Sequence, residues 1–306
     1  MNNVYDLIII GSGPAGLSAA IYAQRARLDA LVIEKDMASG GQVLTTYEVD
    51  NYPGLPGMNG FELGTKFREH ADALGAVFAE DEVVKISRLE DVIEVEGREK
   101  SYKTKTVIIA TGAMHQKLRV FGEEELAGMG VSYCATCDGA FFRKKTVAVV
   151  GGGDVAIEDA IFLSRMCEKV YLIHRRDELR GAKVLQERLF ALENVEVIWD
   201  SVVEKIEGTE KVEGLFLKNV KSGQALHLAV NGVFIAVGIK PLSSAFEGVV
   251  EMENGYICAG EDGKTSAPGI FAAGDVRTKA LRQIITAAAD GANAVTSVER
   301  YLNEKH

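Results

Sequence analysis

Two thiols set two residues apart, Cys134 and Cys137 in the run Cys134-Ala135-Thr136-Cys137-Asp138-Gly139, are the side chains of this chain best suited to chemistry. Thiols at this spacing can close a small disulfide, and in so tight a turn one sulfur has a lowered pKa and the bridge is easily reduced. The same spacing also occurs in metal sites and in structural bridges. Asp138 is a candidate acid/base, because thiol attack and thiolate departure both need a proton managed beside the pair. An Asp-Gly pair is equally a good turn former. Four cysteines in 306 residues do not make a disulfide framework. With no second CxxC and no His pair at ligand spacing, a structural zinc would lack its four ligands, and no metal site is expected. Cys167, within an expected helix, and Cys258, in a short apolar run, read as small buried hydrophobes. His115 and His227 have no acidic neighbour in sequence and read as structural or surface residues.

Two nucleotide-type motifs flank the thiols. Leu7 to Ile10 is a continuous apolar run, as expected of a strand buried on both faces of a parallel sheet, and Gly11-Ser12-Gly13-Pro14-Ala15-Gly16 follows it. Helical periodicity runs from Leu17 to Arg27. Gly11 permits the tight turn, Gly13 lets a pyrophosphate approach the backbone, and Gly16 allows the helix to pack closely on the strand. A second strand, Ala30 to Ile33, ends at Glu34, an acid able to bond ribose hydroxyls and repel a 2'-phosphate. This unit suits the ADP half of FAD or NAD.

The pattern recurs with Val147 to Val150 as strand, Gly151-Gly152-Gly153-Asp154-Val155-Ala156 as turn, a helix to about Met166, and Val170 to Ile173 as second strand. His174 stands 23 positions after Gly151, as Glu34 stands 23 after Gly11, so the charge at the equivalent place is reversed. His174, Arg175, Arg176 and Arg180 offer cations to the 2'-phosphate that distinguishes NADPH from NADH. In each unit a small antiparallel meander, Val83 to Thr106 and Ser201 to Val230, leads into a further strand ending in glycine, at Gly112 and Gly238.

These elements predict an α/β chain of two Rossmann-like FAD/NAD(P)-binding domains, each a parallel sheet with helices and a small antiparallel meander. After Gly238 no third unit begins. The remaining run, through Gly269 to Asp275 and an amphipathic helix from about Gln283 to Tyr301, needs a sheet to join, and the first unit is short of elements. Residues 1–115 and 243–306 are therefore expected to form one discontinuous domain and 116–242 the other, with adjacent hinge strands near 116 and 243. If flavin sits in the first and both NADPH and the thiols in the second, the two parallel linkers would let the second domain rotate.

With 47% hydrophobic and 25% charged residues over 306 positions, the chain can bury about two domain cores. A net charge of -10 argues against general nucleic-acid binding, which needs a basic face. No stretch approaches the roughly 20 apolar residues of a membrane span, and no signal-type N-terminus precedes the first motif, so a cytoplasmic location is expected.

With those residues in place, the chain resembles the low-molecular-weight thioredoxin reductases of the pyridine nucleotide-disulfide oxidoreductase family. The likeness covers essentially the whole chain and rests on the CxxC-Asp-Gly run, both glycine motifs, His174-Arg175-Arg176 with Arg180, Gly274-Asp275 and Arg282-Gln283. It implies a homodimeric flavoenzyme that moves electrons from NADPH to FAD, to the Cys134/Cys137 disulfide and on to thioredoxin or a thioredoxin-like protein. By the same resemblance FAD would be held by Gly11, Ser12, Gly13, Pro14, Ala15, Gly16, Glu34, Gly40, Gly41, Gln42, Asn51, Thr111, Gly112, Gly274, Asp275, Arg282 and Gln283. NADPH would be held by Gly151, Gly152, Gly153, Asp154, His174, Arg175, Arg176 and Arg180. Cys137 is implied as the sulfur nearer the flavin, and Cys134 as its redox partner. Asp154-Val155 departs from the small polar residue that relatives often carry there. A reductase for another protein disulfide, or a non-catalytic sensor binding FAD and nucleotide, are the competing readings; a fused N-terminal domain would favour the first, and none is expected here.

Overall fold

The computed structural model describes residues 4–46, 48–89 and 92–304 and is α/β throughout. The chain divides into two compact units: Met1–Thr46, Tyr52–Met114 and Lys240–His306 form one, and Tyr47–Asn51 with His115–Ile239 the other.

In the first unit, β1 (Val4–Ile10) is followed by α1 (Pro14–Arg25) and β2 (Ala30–Glu34), then by α2 (Gly60–Ala73) and β3 (Val77–Glu80). A meander of β4 (Val83–Leu89), β5 (Val92–Gly97) and β6 (Ser101–Ile109) comes next, and the strands share one sheet in the order β3-β2-β1-β6-β5-β4. The long strand β6 does two jobs. One edge pairs parallel with β1 from Lys103 to Ile109, Ile108 opposite Ile9, and the first half of the other edge pairs antiparallel with β5, Tyr102 opposite Val95. Side chains alternate across the sheet as the pleat requires. Leu7, Ile9 and Ile108 face α1 and the C-terminal helix, while Ile8, Ile10, Val107 and Ile109 face the meander and Phe246 and Ile257. Both faces of β1 are thus covered, which is why its run is apolar without alternation.

After β7 (Ala113–His115) the chain enters the second unit. There β8 (Val131–Ser132) precedes α3 (Ala135–Asp138), and β9 (Thr146–Gly151), α4 (Asp154–Ser164), β10 (Lys169–Ile173), α5 (Lys183–Phe190) and β11 (Val195–Ile198) follow. The meander β12 (Ser201–Gly208), β13 (Val212–Asn219) and β14 (Ala225–Ala229) leads to β15 (Gly232–Ala236). The parallel sheet runs β11-β10-β9-β15-β8, and the meander is a separate sheet, unlike its counterpart in the first unit. One face packs Val147, Val149 and Phe234 against α4; the other packs Ala148, Val150 and Val233 against Leu215 and Leu217 of the meander.

The chain leaves through β16 (Ile239–Pro241), which pairs with β7, so the two crossing segments lie side by side. The short hairpin β17 (Met252–Glu253) and β18 (Tyr256–Ile257) follows, then β19 (Ile270–Ala272), parallel to β6, and α6 (Ile284–Glu304). Each parallel sheet therefore has five equivalent strands. The fifth, β19 or β8, comes from the chain after the other four in the first unit and before them in the second.

Four local expectations need correction. α1 stops at Arg25 because Arg27 adopts a left-handed φ of 59°. α4 stops at Ser164, where Arg165 and Met166 donate their N–H groups to Phe162 and Leu163, three residues back, and tighten the last turn. Cys167 consequently lies outside the helix, although it is buried. Cys258 is only half-buried. Among the described residues no helix is long and apolar enough to cross a membrane.

Candidate active site

In the first unit the glycine motifs, the end of β6 and the turn after β19 meet at the C-terminal ends of the parallel strands, the usual ligand crevice of such sheets. Gly11 has φ 101°, and a Cβ there would collide with the carbonyl of Ala110. Gly13 caps α1, with Pro14 at its first position, so the first-turn N–H groups remain available to an anion. Gly40 and Gly41 pass over Gly13: a Cβ on Gly41 would lie 3.4 Å from the Gly13 Cα, and Gly40 N donates to Ser12 O at 2.9 Å. The Gly274 turn packs on the same motif, since its Cβ would come 2.9 Å from that of Ala15. Each of these glycines leaves a lane that a larger residue would close.

Ser12 and Glu34 are already joined. Both Ser12 N and Ser12 Oγ donate to Glu34 Oε2 at 2.7 Å, while Glu34 Oε1 accepts from Lys35 N at 2.8 Å. The carboxylate is thereby held at the end of β2 with acceptor capacity to spare. Gln42 Nε2 donates to Ala113 O, and Thr111 Oγ1 donates to Leu242 O at 2.6 Å, with Leu242 N returning a bond to Gly112 O at 3.0 Å. Asn51 is exposed and belongs to the short segment grouped with the second unit.

Asp275 and Arg282 carry the sign of a missing polar ligand. Asp275 Oδ1 and Arg282 Nε are both buried without a hydrogen-bond partner, a costly state unless something else supplies the bonds. Burial pushes the Asp275 pKa up, against Lys279 and Arg282. The Arg282 guanidinium lies 4.2 Å from the ring centroid of Tyr256, and Gln283 N donates to Thr286 Oγ1 at 3.2 Å at the head of α6. A glycine-lined cradle, an acid held at the end of β2 and two orphaned polar atoms fit a flavin dinucleotide.

One anchor of this site was not anticipated. Asp290 of α6 accepts from Gly274 N at 2.9 Å, Arg277 Nε at 2.9 Å, Arg277 Nη2 at 2.7 Å and Lys279 Nζ at 2.8 Å. Burial works to raise its pKa, but Arg277 and Lys279 outweigh burial and hold the carboxyl below the usual carboxylate range. The visible signal was an acid on the stripe of α6 that buries Ala287, Gly291 and Ala294.

In the second unit Gly151, Gly152 and Gly153 form the corresponding turn, Gly153 capping α4. Asp154 Oδ1 accepts from Ala182 N at 2.7 Å, and Arg180 N donates to Gly152 O at 2.7 Å. The departure at Asp154 thus fastens the Arg180-bearing loop onto the glycine turn. Arg175, Arg176 and Arg180 are exposed. His174 is not with them: it is 4% exposed, and a Cβ on Gly152 would run into its ring. Burial, joined by the charges of Arg180 and Arg176, lowers its pKa against two backbone hydrogen bonds. His174 therefore supplies no cation, and the positive charge falls to the three arginines.

Cys134 and Cys137 form a disulfide with Cα atoms 5.3 Å apart, Cys134 capping the one-turn helix α3. Ala135 belongs to the core of the unit, and a Cβ on Gly139 would lie 3.1 Å from Leu163 and Phe162, so the helix is seated on the end of α4. Asp138 Oδ2 accepts from Ser132 Oγ at 2.6 Å, and Ser132 Oγ accepts from Cys134 N at 3.1 Å. Burial pushes the Asp138 pKa up, and the Ser132 bond offsets part of the rise. Ser132, at the end of β8, was not singled out in sequence; it ties the carboxyl to the disulfide. His227, without an acidic neighbour in sequence, meets Glu207 at 2.9 Å across the exposed meander.

The profile of the pyridine nucleotide-disulphide oxidoreductases matches residues 5–291. Thioredoxin reductase of Listeria monocytogenes is 47% identical over 303 residues, spanning 98% of this chain and 95% of that protein. The crystal structure of thioredoxin reductase from Streptococcus pyogenes matches with a TM-score of 0.95 at 47% identity, covering 99% of this chain and 100% of the other. Lactococcus lactis thioredoxin reductase, solved in what is described as its FR conformation, matches over 98% and 99% at 43% identity with a TM-score of 0.66.

Proposed function

The chain belongs to the pyridine nucleotide-disulphide oxidoreductase family, and we propose that it catalyses reduction of the thioredoxin disulfide by NADPH. It is a disulfide reductase whose family implies a flavin and a pyridine nucleotide. The observation that carries the finer reading is the disulfide Cys134–Cys137 in the unit whose glycine turn adjoins three exposed arginines.

Residues 1–115 with 243–306 would hold FAD through Gly11 to Gly16, Glu34, Gly40 to Gln42, Asn51, Thr111, Gly112, Gly274, Asp275, Arg282 and Gln283. Asp275 would bond ribityl hydroxyls with its orphaned oxygen. Residues 116–242 would hold NADPH, the pyrophosphate over Gly151 to Gly153 and the 2'-phosphate against Arg175, Arg176 and Arg180, whose planar donors suit it. Bound FAD would supply the two-electron relay between NADPH and the disulfide. Cleavage of the bridge consumes two electrons and yields Cys134 and Cys137 as thiol and thiolate; exchange with the thioredoxin disulfide then returns the bridge and releases a dithiol. Asp138 would hold and return the proton, burial favouring its protonated form.

Both nicotinamide and disulfide need access to the flavin, and both belong to the second unit in this reading. We therefore propose rotation of that unit between half-reactions. The drop in TM-score from 0.95 to 0.66 at nearly equal identity and coverage supports it, because relatives this similar in sequence should agree within each unit. A homodimer acting in the cytoplasm, where thiols are kept reduced, completes the proposal.

The test is direct. Anaerobic NADPH should bleach the flavin absorbance of the purified protein, and oxidised thioredoxin should restore it; NADH should do so poorly. Bleaching without restoration by thioredoxin would refute the assigned acceptor.

A further inference from the structure

The arginine loop does not stand alone. The hairpin turn between β13 and β14 reaches it, and Lys221 sits in that turn with Nζ 2.6 Å from Asp177 Oδ2 and 3.0 Å from Asp200 Oδ1. The turn is well defined. Asn219 Oδ1 accepts from the N–H groups of Lys221 at 3.0 Å and Ser222 at 2.9 Å, and Gly223 takes a φ of 75°. Val220 N donates to Asp200 O at 2.6 Å, and Asp200 N donates to Arg176 O at 3.2 Å. A continuous set of hydrogen bonds thus joins the meander to the backbone of Arg176.

The charges of this loop are finely balanced. Arg175, Arg176, Arg180 and Lys183 share this part of the chain with Asp154, Asp177, Glu178 and Asp200, and with His174 buried and neutral these charges cancel. Lys221 tips the balance to positive. Its hydrogen bond holds the Asp177 carboxyl below the usual carboxylate range, and Asp177 in turn raises the Lys221 pKa, so both stay charged at neutral pH. Such an exposed pair adds little to folding stability. Its effect on a dianionic phosphate nearby is larger, because every charge within about 10 Å acts on it at 0.1 M salt.

We propose that Lys221 is a coenzyme-selectivity residue: by neutralising Asp177 and Asp200 it keeps the loop of Arg175, Arg176 and Arg180 cationic and so sets the preference for a 2'-phosphorylated coenzyme. The inference rests on the reading of those arginines as the 2'-phosphate site. It acts through them as a positioning and charge-balancing group. The meander then has a role beyond covering the sheet.

The experiment is equilibrium titration of the oxidised, FAD-loaded protein with NADP+ and with NAD+, which bind without reducing or being reduced. Lys221→Gln should weaken NADP+ binding about three- to tenfold and leave NAD+ binding unchanged, the loss shrinking in high salt. Lys221→Arg should keep the wild-type preference. Adding Asp177→Asn to Lys221→Gln should recover most of the loss. Equal weakening of both coenzymes, or no change for NADP+, would overturn the role of Lys221 while a wild-type preference for NADP+ leaves the arginine site standing. A wild-type protein that binds both coenzymes equally would overturn the two readings together.

Discussion

Asp138 is the residue on which geometry and electrostatics bear most closely. Its carboxyl is held by one hydroxyl, that of Ser132, and burial raises its pKa. A carboxyl with a folded-state pKa above its unfolded value contributes stability that is fully present below the unfolded pKa and is lost as pH rises through the folded one. The wild-type protein should therefore lose stability relative to Asp138→Asn as pH climbs from about 4, the ordinary Asp value, to neutrality. Calorimetry across that window should show the difference in Tm growing with pH, with the variant the more stable. In rapid kinetics the same substitution should slow dithiol exchange more than flavin reduction by NADPH. Equal slowing of both steps would remove Asp138 from proton transfer. The pair Cys134 and Cys137 and its neighbouring acid were legible in sequence because they are contiguous. Ser132 was not, since its bonds depend on how the strand end meets the turn of α3. His174 was legible in position and misread in charge, because burial is decided by the packing of Gly152 above it.

Helix α6 shows how an element can serve a site it barely touches. It packs on α1 through Gly291, whose Cβ would collide with Ala15 O and lie 2.9 Å from Ala19 N, and one residue earlier Asp290 holds the Gly274 turn. Gly291→Val should push the helices apart, at a cost of about 1–3 kcal/mol typical of overpacking. Because Asp290 moves with α6, the variant should also shed FAD on desalting, whereas a surface change such as Thr296→Ala should not. Thermal unfolding and the flavin-to-protein absorbance ratio check both halves, and full flavin retention would show that α6 does not set the turn. The long elements were readable from their periods: continuous apolar strands for β1 and β9, helical spacing for α1 and α6. The short β8 and β19, at Val131–Ser132 and Ile270–Ala272, could not be identified this way. Two or three residues carry no period, and each becomes a strand because a long neighbour offers it an edge.

For the whole molecule, the paired crossing strands β7 and β16 are the natural pivot of the proposed rotation. A crosslink that ties the two units should lower steady-state turnover by at least about tenfold while sparing one half-reaction, as expected when a conformational step lies on the path. Unchanged turnover in the crosslinked protein would discard rotation. The amino-acid order alone was enough to establish two glycine-turn units and a dithiol beside the second, because glycine turns and apolar runs are local facts of the chain, whereas the charge reversal read at Glu34 and His174 was undone by the burial of His174. Folding supplied the rest. It seated a fifth strand from opposite ends of the chain in the two sheets, fastened Asp154 to the arginine loop and brought Lys221, Asp177 and Asp200 together. Asp290 met Arg277 and Lys279 the same way. Such contacts join residues far apart in the chain, and side-chain charge and hydrogen bonding are settled only when packing decides which groups lose water and which neighbours replace it.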